Sequence, residues 1–424
     1  MRLRWLTIVL MGLVPLAACA PVDATSSSAP ALPAQRPSEP EPPALTPTAL
    51  TPTLAPVSTA SPEPTPPPQD HGAEEVETER TDRQPQDRDR QGCTSDPSPL
   101  LTAPITDLSK IEVILPPFVI SGDRFKSRSY VSIGRDANGE FYEVPVYAPI
   151  DSKLMSITYY VEPMQNEQGE WLDVEQYSLD FQVSCEVSYG FDHLWRLAED
   201  VAALAPTEPA RSTRGDFRLA TPLSMQAGEL IGYTTGTIQA HNWDFVFSNS
   251  SRRNSFANQE RYEYTGDLGN LLIGDCPYDY YDEEVRGAYY ALLDGLDAMS
   301  EGGGCLRHRD VPGTIAGGWF SEPFVKESVV GPEPGWALAV GTSSDEQVRV
   351  NAEGRSLRVN AGQPTYVDPK LVTSEHCYEQ RPNPTAPPSA FVYLKLLSDA
   401  ELALAFGDGS CPQQLPAGHQ TYHR

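Results

Sequence analysis

The chain has 424 residues and a formal net charge of −27. Nucleic-acid binding needs a basic footprint that releases phosphate counterions, and so acidic a chain lacks one. Hydrophobic residues are only 39%, prolines number 41, and the one membrane-like apolar run is N-terminal, which excludes a polytopic membrane protein.

Residues 1–18 begin with Arg2 and Arg4. An apolar stretch then runs from Trp5 to Leu16, interrupted by Gly12 and Pro15. That is too short to cross about 30 Å of hydrocarbon, but it suits a signal-peptide core. The segment ends Leu16-Ala17-Ala18-Cys19, which resembles the bacterial lipobox. The resemblance implies cleavage before Cys19 and its acylation with fatty chains such as palmitate. The expected product is extracytoplasmic and lipid-anchored to the cell membrane rather than spanning it.

Residues 19–92 read as a disordered, proline-rich acidic tether. Residues 20–92 hold 16 of the 41 prolines and no Phe, Trp or Tyr. Such a segment cannot bury enough apolar surface to offset its ordering entropy. The tether carries −7, while residues 93–424 carry −22. The acidity therefore belongs mainly to the folded region, where it disfavours anionic partners and favours neutral or cationic ones.

Six cysteines remain after Cys19: Cys93, Cys185, Cys276, Cys305, Cys377 and Cys411. They are even in number, widely spaced and without a Cys-x-x-Cys, a pattern of disulfides in an oxidising compartment rather than of a zinc site. Of about 15 possible pairings, the sequential one keeps each bridge inside one structural unit and is the one expected.

The fold class expected is mainly β. A β-domain over 93–265 is followed by a disulfide-bearing α+β domain over 266–424. Short β-branched and aromatic runs at 111–115, 130–133, 142–148, 154–161, 177–183, 186–191, 230–234 and 243–247 are separated by Gly, Asp, Asn and Pro. Helical spacing is read over 194–204, from Leu194, Leu197, Val201 and Leu204. A longer helix is expected over 282–299, with Asp282 as N-cap and Gly302, Gly303 and Gly304 ending it. Further strands are expected at 314–320, 336–341, 347–350, 356–359, 391–397 and 402–406.

Three segments, in order, resemble the zinc endopeptidases of the lysostaphin and LytM type. Val146-Tyr147-Ala148-Pro149-Ile150-Asp151 is similar to the family's strand and turn before its duplicated motif. Tyr189-Gly190-Phe191-Asp192-His193-Leu194 is similar to its Tyr-x-His-Leu strand end. Ala227-Gly228-Glu229-Leu230-Ile231-Gly232 is similar to its Ala-Gly-x-x-Ile-Gly turn, and a short aromatic strand, Asn242-Trp243-Asp244-Phe245, follows. The resemblance implies a β-domain that cuts peptidoglycan.

The departures weigh against that chemistry. The family's zinc ligands include the last His of a His-x-His strand, spaced so that both face one side. Here those positions are Asn242 and Asp244, and Arg128 stands where the first histidine ligand would be. A catalytic zinc needs three protein ligands and an open position, and an arginine cannot ligate. The expected site is a vestigial cleft of Arg128, His193, Asn242 and Asp244, with Trp243 close by and no metal, cofactor or catalytic residue. The role expected is non-catalytic, binding a peptidoglycan-like envelope polymer or a partner protein. The alternative is a hydrolase acting on peptidoglycan through a rebuilt metal site or the second domain. The carboxylates Asp275, Asp279, Asp282, Glu283 and Glu284 lack EF-hand spacing and read as a solvated helix start rather than a calcium loop. The glycine-rich run 310–320 reads as a turn with Trp319 and Phe320 packed in the core.

Overall fold

The computed structural model describes residues 93–424 except 123, 167, 211–216, 265, 295–304, 306–309, 326–335, 343–346 and 353. Cys19, the signal peptide and the tether lie outside the described residues. The first half of the described chain is a run of strands: β1 (Ile111–Leu115), β2 (Ile120–Ser121), β3 (Arg124–Phe125), β4 (Arg128–Ile133), β5 (Val144–Tyr147), β6 (Ser152–Gln165), β7 (Trp171–Gln182), β8 (Val187–Leu194), β9 (Arg196–Leu197), then helix α1 (Glu199–Ala202), β10 (Arg218–Met225), β11 (Leu230–Thr234) and β12 (Asn242–Asn249). Seven of these strands form one antiparallel sheet in the order β1-β4-β12-β8-β7-β6-β10, and β5, β11 and β9 form a smaller one.

Alternation decides which face of the large sheet is wet. Val131 and Ile133 on β4, Tyr189 and Phe191 on β8, and Trp243, Phe245 and Phe247 on β12 all point to one side and form its core. Phe191 and Phe245 stack there with centroids 5.2 Å apart. Their neighbours in sequence necessarily point to the other side, and that side carries the candidate site. The long β6–β7 hairpin is turned by Asn166, whose side chain accepts from the Gln168 and Glu170 N–H groups, and by Gly169 at φ 83°.

Next come α2 (Gln259–Tyr264), α3 (Gly266–Ile273) and α4 (Glu283–Tyr290). Asp282 caps α4, accepting from the Val285 N–H at 3.0 Å. The helix stops at Tyr290 rather than 299 because β1 captures the following backbone. Ile114 N–H donates to Leu292 O, and Asp294 N–H donates to Ile114 O. The three glycines at 302–304 lie outside the described residues. The helix expected over 194–204 shrinks to the single turn α1, since Leu194 and Leu197 pair instead with Tyr177 and Gly232.

The division expected at residue 265 is not where the packing divides. Cys276, Tyr278, Tyr281, Tyr289, Leu293 and Cys305 all belong to the first core. The reason is apolar: Tyr278, Tyr280, Tyr281 and Tyr289 bury their rings in that core. The second sheet then follows with β13 (Gly317–Phe320), β14 (Trp336–Thr342), β15 (Val348–Ala352), β16 (Arg355–Val359), β17 (Glu375–Gln380), β18 (Ala390–Ser398), β19 (Glu401–Asp408) and β20 (Gln420–His423). Its order is β16-β15-β14-β13-β20-β19-β18-β17, and the two edge strands lie against each other. A seam of Phe118, Ile120, Phe125, Phe256, Tyr262, Leu271, Leu272, Phe320 and Ala339 packs the β2–β3 hairpin and helices α2 and α3 against β13 and β14.

Three disulfides close the described chain: Cys93–Cys185, Cys276–Cys305 and Cys377–Cys411. This is the sequential pairing. Such bridges belong to an oxidising, extracytoplasmic compartment. Among the described residues no helix is long and apolar enough to cross a membrane.

Trp319 and Phe320 are fully buried. Beside them Arg424 donates to Ala316 O, lies 3.3 Å from Asp310 Oδ1 and stacks 4.0 Å over the Trp319 ring. Gly317 sits at φ 144°, and a Cβ there would collide with the Asp310 carboxylate. The glycine is what lets the buried ion pair close.

Candidate functional site

Strand register assembles the site on the outer face of the seven-stranded sheet. Asp244 on β12 lies directly opposite Tyr130 on β4 and opposite Asp192 on β8. One row across three strands therefore reads Tyr130, Asp244, Asp192. Arg128 stands two residues from Tyr130, on the same face.

His193 joins them through an irregularity. The β7–β8 register shifts between Tyr177, opposite Leu194, and Leu179, opposite Phe191. His193 sits in that bulge at φ 69°. In a regular strand Asp192 and His193 would point to opposite faces. The bulge turns both toward Asp244. The next helix begins only at Glu199.

Asp244 is 1% exposed although it faces away from the hydrophobic core. The Arg128 guanidinium donates to Asp244 Oδ2, and His193 Nε2 lies 3.7 Å from the same oxygen. Oδ1 of Asp244 is buried with no hydrogen-bond partner among the described residues. Burial pushes the Asp244 carboxyl above its usual value, and Arg128 pulls against that shift. For Arg128, burial opposes the charge, but Asp244 prevails and holds the guanidinium above its ordinary value.

Two further side chains hold the cluster in place. Tyr160 donates to Asp192 Oδ1 at 2.6 Å. Gln176 Oε1 is hydrogen-bonded to His193 Nδ1. Tyr160 and Gln176 are 1% and 2% exposed. Burial, then the Asp192 charge, pushes the Tyr160 phenol well above its ordinary range, so it stays a donor. Ala210 forms a backbone bridge to β6 beside Tyr160, its N–H donating to Tyr159 O.

The structure thus brings Arg128, His193 and Asp244 together. Asn242 begins the same strand, opposite Ser132, on the same face as Asp244. Trp243, expected close by, lies on the opposite face of the strand from Asn242 and Asp244. It is fully buried in the core, because its neighbour Asp244 takes the outer face. His241 stacks on Phe141. Sequence reasoning missed Asp192, Tyr160 and Gln176. Asp192 was adjacent to a singled-out histidine, but only the bulge and the β8–β12 register reveal that it faces Asp244.

The ligating atoms of Asp192, His193 and Asp244 all lie within 4.8 Å of one another. That donor set suits a divalent metal in chemistry, but Arg128 already places a permanent positive charge on the Asp244 oxygen facing His193. A metal therefore does not fit the cluster as it stands. Of the carboxylates expected as a solvated helix start, Asp282, Glu283 and Glu284 are exposed at the start of α4, whereas Asp275 and Asp279 are held by tyrosines. Asp275 accepts from Tyr280 Oη at 2.7 Å, Asp279 accepts from Tyr290 Oη and Asp282 caps α4. No family model, curated protein or solved structure matches this chain.

Proposed function

We propose that this chain is a cell-envelope lipoprotein, anchored through acylated Cys19, whose first folded region is a LytM-type β-domain used for binding rather than cleavage. Its partner is an envelope polymer of the peptidoglycan kind or an envelope protein. The observation that carries the reading is the Arg128–Asp244 pair, which puts a guanidinium where a hydrolytic centre would need an open metal position. Arg128 is 34% exposed and His193 is 15% exposed at their side chains. They leave a donor edge and an imidazole within reach of a polar ligand.

The disulfides support export, and the Leu16-Ala17-Ala18-Cys19 motif supports the anchor. The charge of −22 on residues 93–424 disfavours anionic wall polymers and leaves glycan and peptide strands as the better fit.

Two experiments test this. The purified mature protein should co-sediment with isolated peptidoglycan, release no soluble fragments and contain no stoichiometric zinc. One tightly held zinc per chain, with hydrolysis lost in His193→Ala, would instead establish the enzyme. Separately, Cys19→Ala should leave an unprocessed precursor or free the protein from membranes. Unchanged processing and fractionation would remove the anchor.

A further inference from the structure

We infer that Arg128 is a built-in cation that closes a latent divalent-metal site made by Asp192, His193 and Asp244. The inference rests on the non-catalytic reading above and says what maintains it.

The backbone itself creates the need for a cation. The β8–β12 register sets two carboxylates, Asp192 and Asp244, directly opposite each other on one sheet face. Like charges in that position repel, and a buried carboxylate needs a compensating charge. Arg128 supplies it from β4, donating to Asp244 Oδ2.

The remaining geometry has the arrangement of a ligand set. His193 Nε2 and Asp244 Oδ2 are 3.7 Å apart, which is beyond hydrogen-bonding distance. Two ligands bound at about 2.1 Å to a shared ion can be up to about 4.2 Å apart, so the spacing suits a pair bridged by a cation. The other imidazole nitrogen of His193 is held by Gln176 Oε1, and Asp192 is held by Tyr160. Outer partners of this kind orient ligating histidines and carboxylates. Asp244 Oδ1, buried and unpartnered among the described residues, marks a carboxylate whose surroundings leave it under-satisfied. Two carboxylates and an imidazole suit zinc, cobalt or manganese rather than a soft metal.

The test is Arg128→Ala in the full mature chain, titrated with cobalt(II). One cobalt per chain should bind, with a visible absorption band and a rise in melting temperature. Wild type and Arg128→Lys, which keep the positive charge, should show neither. Arg128→Ala combined with His193→Ala should lose both signals. If Arg128→Ala needs metal to fold, refolding should succeed with cobalt and fail without it. A folded Arg128→Ala that takes no cobalt overturns the inference, as does a double variant that takes as much, or a metal-dependent variant that cobalt does not rescue. An inert Arg128→Ala leaves the binding reading standing. Zinc held by the wild type, with hydrolysis, would overturn both.

Discussion

Among the described residues, two of the carboxylates buried against arginines, Asp244 against Arg128 and Asp310 against Arg424, sit in different surroundings. At Asp310 both side chains are sealed, 1% and 2% exposed, and the arginine is stacked on Trp319. At Asp244 the carboxylate is sealed but the arginine is 34% exposed, and a histidine and a second carboxylate stand beside it. The first pair is sealed from solvent, so its role is to hold β13 and the chain near residue 424 together. The second has an open side. The same charge pairing is structural in one place and available for recognition in the other, and exposure of the cation makes the difference.

The largest expected effect breaks the sealed pair. Arg424→Ala leaves Asp310 buried without its partner and should cost about 3–5 kcal/mol, read as a lower urea midpoint with an unchanged slope. A midpoint shift no larger than for a surface substitution would show that the pair is not sealed in solution. Next is Cys276→Ala with Cys305→Ala, which opens a bridge lying inside the first core. The expected loss is about 2–5 kcal/mol, and thermal unfolding should show it in the first core rather than in the second sheet.

The pH response of Asp310 comes third. Burial pushes its carboxyl up to about 6, above the ordinary 3.8, with Arg424 working in the opposite direction. The folded state therefore holds this proton more tightly than the unfolded state does. The group's contribution to stability is full below pH 3.8 and is lost as pH rises through about 6. Across that window wild type should lose stability relative to Asp310→Asn. A parallel pH course in the two proteins would refute the assignment. The smallest effect sharpens the open pair. Asp244→Asn should cost only about 1–3 kcal/mol, because Arg128 can turn toward water. A loss matching that of Arg424→Ala would mean that Arg128 is as trapped as Arg424.

Much of the scaffold was legible in the sequence. Period-two runs marked most strands, Ile111–Leu115 and Leu230–Thr234 with their observed bounds. Strands β2, β3, β9, β10, β17 and β20 were missed, since β2, β3 and β9 are only two residues long, Arg218–Met225 is an exposed edge strand with little apolar alternation, and Glu375–Gln380 and Gln420–His423 are largely polar. Arg128, His193 and Asp244 were identifiable from motif order. Asp192, Tyr160 and Gln176 were not, because nothing local marks them.

The sequence by itself determined the mainly β class and which residues of each strand could face a core, since these follow from side-chain alternation; the sequential cysteine pairing it favoured is the one the structure makes. Tertiary structure alone decided that tyrosines 278–290 complete the first core, that Trp243 turns inward and that Asp192 meets Asp244. These outcomes depend on strand register and on one bulge at His193. A shift of a single residue in register would exchange the two faces and disperse the site.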